Sequence, residues 1–299
     1  MTELELDQWA DWLLHRRHGD DDAELQRTRE RVGKVRDRVL ANAALSPGET
    51  LLDVGTGDGL IGLGAIDAVG PEGRVILSDV SRDLLDHARQ RAIQQGVADR
   101  CAFVQAPADN LGAIASESVD IVTTRSVLAY VKNKTGAFAE FFRVLRPNGR
   151  MSLYEPINGL VHPEPDHQFD GFDVTPVQDL AARVKAVYEA RQPMASDPMF
   201  DYDERSLMRM AREAGFETLH LELRVDQVLQ EPQEWELYST TAQNPLAPTL
   251  SEAIDQALSR EEGDRFVGHL RPRVERGEGT FAVAVAYLWA EKGPTFPPV

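Results

Sequence analysis

The densest concentration of potential chemistry is a glycine-rich turn beside a carboxylate, Leu51-Leu-Asp53-Val-Gly55-Thr56-Gly57-Asp-Gly59-Leu. It follows a strand-like apolar run and opens a helix-like one, where backbone N–H groups and a helix N-terminus can meet the polar end of a ligand. Gly57-Asp-Gly59-Leu-Ile-Gly62 also fits the dinucleotide pattern GxGxxG, which several nucleotide-binding folds share and which alone discriminates little. Asp53 puts a carboxylate at a strand end, which suits an ammonium or sulfonium zwitterion better than a pyrophosphate. Asp79, about 20 residues past the loop, can accept both hydroxyls of a ribose, a feature shared with NAD proteins. Ala108-Asp109-Asn110 follows a third strand-like run, and its carboxylate can accept a hydrogen bond from an exocyclic adenine amine. Together these residues outline an adenosine joined to an amino acid.

The elements that must position them alternate. Strands are expected at Thr50 to Val54, Arg74 to Asp79, Ala102 to Gln105, Val119 to Thr124 and Arg150 to Glu155. Ser81 can cap a helix carrying Leu84, Leu85, Ala88 and Ala92 before Gly96. Phe138, Phe141, Phe142 and Leu145 mark a helix halted by Pro147-Asn-Gly149. Strands separated by helix-length segments imply a parallel sheet with right-handed crossovers. Residues 1–45 read as an N-terminal extension, helical from residue 4 and broken at Gly19-Asp-Asp-Asp22, and 46–299 as the core. Two segments interrupt that core, 156–200 with six prolines and a helix-like stretch from Val177 to Ala190, and 227–278 with a helix at Leu250 to Ser259. Asp203 can cap a helix with Leu207, Met210, Ala211 and Ala214 on one face. In Leu219 to Asp226 apolar and polar residues alternate, as in an edge strand with one wet face. Phe281 to Ala290 is apolar throughout, as in a strand covered on both faces.

Composition narrows the function. The 299 residues are 42% hydrophobic and 27% charged, the ordinary globular range, and the net charge of −17 disfavours nucleic acid or an anionic membrane as partner. A small-molecule ligand fits better. The single Cys101 excludes an intramolecular disulfide and a multi-cysteine metal site, and is compatible with a cytoplasmic protein. The acidic start has no signal-peptide pattern, and Phe281 to Ala290 is too short to span a bilayer. Oligomeric state is not readable.

The motifs LLDVGTGDGLIG at 51–62, SDVS at 78–81, APADN at 106–110, VDIVTTRSVLAYV at 119–131 and FFRVLRPNGRMSLYEP at 141–156 resemble the class I S-adenosylmethionine-dependent methyltransferases. Within that family the likeness is to the ubiquinone/menaquinone-biosynthesis and natural-product group. The resemblance implies an α/β, Rossmann-like seven-stranded sheet ordered 3-2-1-4-5-7-6 with strand 7 antiparallel, carrying helical cap additions. It implies that Asp53, Gly55, Thr56, Gly57 and Gly59 hold the methionine part of S-adenosylmethionine, Asp79 the ribose and Asp109 the adenine, with Val80 and Ala108 as further cofactor-binding residues. Thr124 and Arg125 would lie near the methionine end.

Further candidates concern the acceptor. His162 and His167 stand just beyond strand five, where the family places its acceptor pocket, and imidazole titrates near neutrality. Glu155 and Tyr130 sit at the carboxyl ends of sheet elements and could orient an acceptor. Asp58 reads as an exposed residue of the first helical turn, and the basic helix around Arg27 to Arg38 as a solvated face. The expected function is methyl transfer to a small-molecule oxygen, carbon or nitrogen, with no metal. The alternatives are a non-methylating enzyme or a noncatalytic binding protein on the same fold, and an NAD-dependent oxidoreductase.

Overall fold

A computed structural model of the chain describes residues 6–19 and 21–294; positions 1–5 and 20 of the expected N-terminal extension lie outside them. The sheet strands are β1 Thr50–Val54, β2 Arg74–Asp79, β3 Cys101–Gln105, β4 Val119–Arg125 and β5 Leu145–Pro156. A two-stranded hairpin, β6 Gln168–Phe169 with β7 Phe172–Asp173, precedes β8 Thr218–Leu229 and β9 Thr280–Glu291. The seven-stranded sheet runs β3-β2-β1-β4-β5-β9-β8. Neighbours from β3 to β5 are parallel and β9 is antiparallel to β5. This is the expected order, with β8 and β9 as the sixth and seventh strands of the sheet.

The chain divides into two compact units. One comprises Arg29–Pro156, Tyr202–Leu223 and Val285–Val299. Its sheet is clad by helices such as Arg82–Gln94, whose Ser81 cap accepts the Leu84 N–H at 3.0 Å and whose Ala88 and Ala92 pack with Leu51, Val75 and Leu77. Phe138 and Phe141 of helix Lys134–Val144 are buried, and Phe142 meets Phe216 edge-on with ring centroids 5.3 Å apart. The helix ends at Val144, ahead of the expected stop at Pro147-Asn-Gly149, and Leu145 already belongs to β5. The pairing jumps from Val119↔Leu145 to Ile121↔Arg150, so the turn is a bulge within the strand.

The other unit comprises Met1–Thr28, Ile157–Asp201 and Arg224–Ala284. Its core gathers Phe169, Phe172, Leu180, Val184, Trp235, Leu250, Ile254, Phe266 and Leu270. Helices Gln178–Arg191 and Leu250–Ala257 match the sequence expectation to within two residues. Helix Arg260–Arg276 does not appear in the sequence reading, because its charged surface and internal Pro272 mask the buried row Phe266, Leu270, Val274.

Two strand expectations need correction. Phe281 to Ala290 is covered only from Ala284 onward; Phe281 is 50% exposed, because the pairing with β5 begins at Pro156↔Val285. In β8 the apolar row is not buried along its length: Leu223 is 39% and Val225 57% exposed.

Candidate functional site

The loop after β1 is built by three backbone reversals. Gly55, Gly57 and Gly59 have φ of 64°, 57° and 82°, a region that L side chains rarely adopt. At Gly55 a Cβ would also stand 2.3 Å from Cγ2 of Val127, so glycine is required twice over.

Asp53 organises this loop from beneath. It is 2% exposed and accepts the Thr56 hydroxyl at 2.7 Å, the Gly62 N–H at 2.9 Å and the Thr123 hydroxyl at 2.9 Å. Burial outweighs these donors and the nearby Arg125, and raises its pKa to about 6. The sequence reading turned this carboxylate toward a ligand; in the structure one oxygen accepts from Thr56 and Gly62 of the loop and the other from Thr123 of β4. The register Asp53↔Thr123 places the two residues abreast on adjacent strands, the signal by which Thr123 could have been found.

Asp79 closes the other side. Its carboxylate accepts the Gly57 N–H and the Ser81 N–H, each at 2.9 Å, tying the ends of β1 and β2 together. The Thr56 N–H donates to the Ser78 carbonyl at 2.9 Å. The loop after β3 is drawn to the same place: the Ala106 N–H donates to the Asp79 carbonyl at 3.0 Å, and Gln105 Nε2 donates to the Val80 carbonyl at 3.0 Å. Val80 is 45% exposed, whereas Ala108 is buried and Asp109 half-buried. Asp58, expected to be exposed in the first helical turn, is half-buried in the turn before helix Leu60–Gly64 and pairs with Arg91 at 2.6 Å.

At the end of β4, Thr124 is buried and its hydroxyl has no hydrogen-bond partner among the described residues. A buried hydroxyl without a partner is uncommon and points to one supplied from elsewhere. Beside it Arg125 is half-buried, close enough to Asp53 and Glu155 to lower both their pKa values. Arg125, Tyr154 and Tyr287 stand abreast on β4, β5 and β9, and the two phenol rings meet edge-on at 5.1 Å. Burial and Tyr287 push the Tyr154 phenol up.

Glu155, expected to orient an acceptor, is engaged by backbone donors. It is completely buried and accepts the N–H groups of Val127, Leu128 and Ala129 at 2.9, 3.0 and 3.3 Å. Burial raises its pKa to about 7 against these three donors. It pins the segment after β4, including the Val127 that closes on Gly55. Tyr130 ends that segment and is half-buried. His162 and His167 belong to the other unit, both exposed, with His162 edge-on to Phe200 at 6.1 Å.

Residues 45–215 match the sequence profile of a family described as a methyltransferase domain. The chain is a class I S-adenosylmethionine-dependent methyltransferase-domain protein. Similar curated proteins include the ubiquinone/menaquinone biosynthesis C-methyltransferase UbiE of Vibrio campbellii, 28% identical over 171 residues, covering 57% of this chain and 65% of that protein. An arsenite methyltransferase of Halobacterium salinarum is 31% identical over 170 residues, covering 54% of this chain and 43% of that protein. The match therefore spans less than two thirds of these relatives' length. Among solved structures, the YcgJ protein of Bacillus shares the fold at a TM-score of 0.53 with 18% identity, covering 87% of this chain and 98% of that one. The [4+2]-cyclase SpnF does so at 0.52 with 19% identity, covering 94% and 89%.

Membership in this methyltransferase family implies use of S-adenosylmethionine. The residues around the loop suit that molecule: three glycines bare the backbone, an exposed valine follows the Asp79 carboxylate, and at the end of β4 the buried Thr124 hydroxyl has no partner among the described residues. No group of three or more His, Cys, Asp or Glu that could hold a metal occurs among the described residues, and no described helix is long and apolar enough to cross a membrane.

Proposed function

We propose that this protein transfers a methyl group from S-adenosylmethionine to a small-molecule acceptor, at oxygen, carbon or nitrogen. The observation that carries this reading is the interlock in which Asp53 and Asp79 grip the glycine loop from two neighbouring strands. It pre-forms a backbone cradle rather than leaving the loop to be ordered by the ligand, which reduces the entropy lost on binding.

In this reading Gly55, Thr56, Gly57 and Gly59 hold the methionine part, Asp79 takes the ribose hydroxyls, Val80 lies against the adenine, and Ala108 with Asp109 meets its amine. Thr124 and Arg125 serve the methionine end. Asp53 acts through the loop it holds. When bound, S-adenosylmethionine supplies a methyl group on a positively charged sulfur, already activated for transfer. The residues of this chain then have to orient an acceptor in line with that methyl and exclude water, an effect that can reach about 7 to 11 kcal/mol in well-oriented systems. Glu155 contributes as a positioning residue by fixing Val127 to Ala129. Tyr130, His162 and His167 are the candidates for orienting an acceptor or taking its proton. The acidic charge and the single cysteine support a cytoplasmic protein without a nucleic-acid partner.

A cofactor-binding enzyme that does not methylate is the second reading, favoured by the [4+2]-cyclase on the same fold. Titration calorimetry with S-adenosylhomocysteine and with NADH, followed by a screen of acceptors with methyl-labelled S-adenosylmethionine, tests both. Binding of S-adenosylhomocysteine but not NADH, with labelled product, is expected. Binding without labelled product from any acceptor supports the second reading, and NADH binding alone overturns both.

A further inference from the structure

One cation at the end of β4 is uncommitted. The Arg125 guanidinium is half-buried and forms no hydrogen bond or ion pair among the described residues. The two carboxylates it acts on are already engaged: both oxygens of Asp53 accept from Thr56, Gly62 and Thr123, and both of Glu155 from the backbone of Val127 to Ala129. Glu155, raised by burial to about 7, also offsets the guanidinium only in part at neutral pH. Across the sheet Arg125 stands abreast of Tyr154 and Tyr287, and its charge, with that of Arg31, bears on the Tyr154 phenol. The hydroxyl of the half-buried Tyr154 likewise makes no hydrogen bond among the described residues. Ser126, next along the chain, has a φ of 54°, left-handed backbone that a serine keeps only where its surroundings hold it, and its N–H donates to the Tyr154 carbonyl at 2.8 Å. A partly buried cation beside a spare donor, on a strand end held under strain, marks a place for an anion.

We propose that Arg125 and Tyr154 form the acceptor side of the site and select an acceptor that carries a carboxylate, with the guanidinium fork on its two oxygens and the phenol donating a further hydrogen bond. This assignment rests on the methyl-transfer reading above, which sets the cofactor along the loop after β1. The sheet gives the direction. Neighbouring strands lie about 4.8 Å apart, so β5 and β9 are roughly 10 and 14 Å across the sheet from β1. A group held jointly by Arg125 and Tyr154 therefore lies beyond the methionine part, still at the carboxyl ends of the strands, where open sheets bind ligands. Charge gives the class. A carboxylate here stands between two cations that otherwise repel, the guanidinium and the cofactor's sulfonium, whereas a protonated amine would add a third. One guanidinium and one hydroxyl also match the single charge and planar fork of a carboxylate; a phosphate dianion would bring a doubled charge toward Asp53 and Glu155.

Calorimetric titration of the protein saturated with S-adenosylhomocysteine, with benzoate, benzamide and phenyl phosphate as probes, tests this. Benzoate is expected to bind about tenfold or more tightly than benzamide, its uncharged counterpart, and more tightly than phenyl phosphate. Arg125→Gln should abolish the preference for benzoate and Tyr154→Phe should reduce it several-fold, each with benzamide affinity unchanged. A variant that merely loosened the fold would weaken both probes together and leave their ratio intact, which overturns the proposal. Titration with S-adenosylhomocysteine and with 5′-methylthioadenosine, which lacks the amino-acid part, separates the other use of the guanidinium. If Arg125→Gln weakens the first about tenfold, leaves the second unchanged and keeps the benzoate preference, the guanidinium serves the methionine carboxylate; the proposal falls and methyl transfer stands. Absent benzoate binding, equal affinities for benzoate and benzamide, or a preference for phenyl phosphate also overturns it. Failure of S-adenosylhomocysteine to bind the parent chain would instead remove the methyl-transfer reading, and this assignment with it.

Discussion

The carboxylate of Asp79 accepts the backbone N–H of Gly57 at 2.9 Å, so the end of β2 holds the turn that follows β1. The residue assigned to the ribose is therefore also part of the loop's scaffold. Asp79→Ala removes a prospective ligand contact and leaves the Gly57 and Ser81 N–H groups without this partner. We expect S-adenosylhomocysteine affinity to fall by about 1 to 3 kcal/mol, the range for unmet hydrogen-bonding partners, together with a loss of thermal stability. Calorimetry and a melting curve on the same sample check both; unchanged affinity removes the ribose assignment.

Gly55 is constrained from two directions, and the two can be separated. Gly55→Ala meets both the left-handed backbone, at about 1 to 2 kcal/mol, and Val127 Cγ2 at 2.3 Å. Adding Val127→Ala relieves the contact but not the backbone term. The double variant should unfold at a denaturant concentration between those of Gly55→Ala and the parent. Equal midpoints for the single and double variants would show that the contact contributes nothing.

The pattern of the sequence made the strand order legible, because each parallel strand is a short apolar run and the final strand is apolar from Phe281 to Ala290. The site was legible as residue types but not as directions. Asp53 and Glu155 both read as carboxylates at strand ends, yet the first turns into the loop and the second pins Val127 to Ala129. Which way a strand-end side chain points depends on donors 9 to 28 residues away or more, such as Gly62, Thr123 and Val127, and no local periodicity encodes them. The exposed β8 row was missed for a related reason: alternation shows that a strand has two different faces, but not that the apolar one is covered.

Glu155 should leave a pH signature. Its folded pKa of about 7 lies above the ordinary value of 4.5, so the folded state binds the proton more tightly than the unfolded state. The linkage then favours the fold below pH 4.5 and is lost as pH rises through about 7. The full difference corresponds to roughly 3 kcal/mol at about 1.4 kcal/mol per pH unit. Glu155→Gln keeps the acceptor for Val127 and Leu128 but cannot ionise. Relative to the parent it should be less stable near pH 4.5 and gain steadily toward pH 8 in urea titrations. A stability difference independent of pH would refute the buried, proton-binding carboxyl.

Thr124 sets stability against binding in a single substitution. Its hydroxyl is buried without a partner among the described residues, a state that costs the free protein roughly 1 to 3 kcal/mol if nothing fills it. Thr124→Val removes the hydroxyl at nearly constant volume. If a ligand supplies the missing partner, the variant should be more stable than the parent when ligand-free, by about 1 kcal/mol, and bind S-adenosylhomocysteine more weakly. Unfolding by denaturant and calorimetric titration give the two signs. A gain in stability with unchanged affinity would mean that the hydroxyl faces no ligand, and would move the methionine end away from this strand.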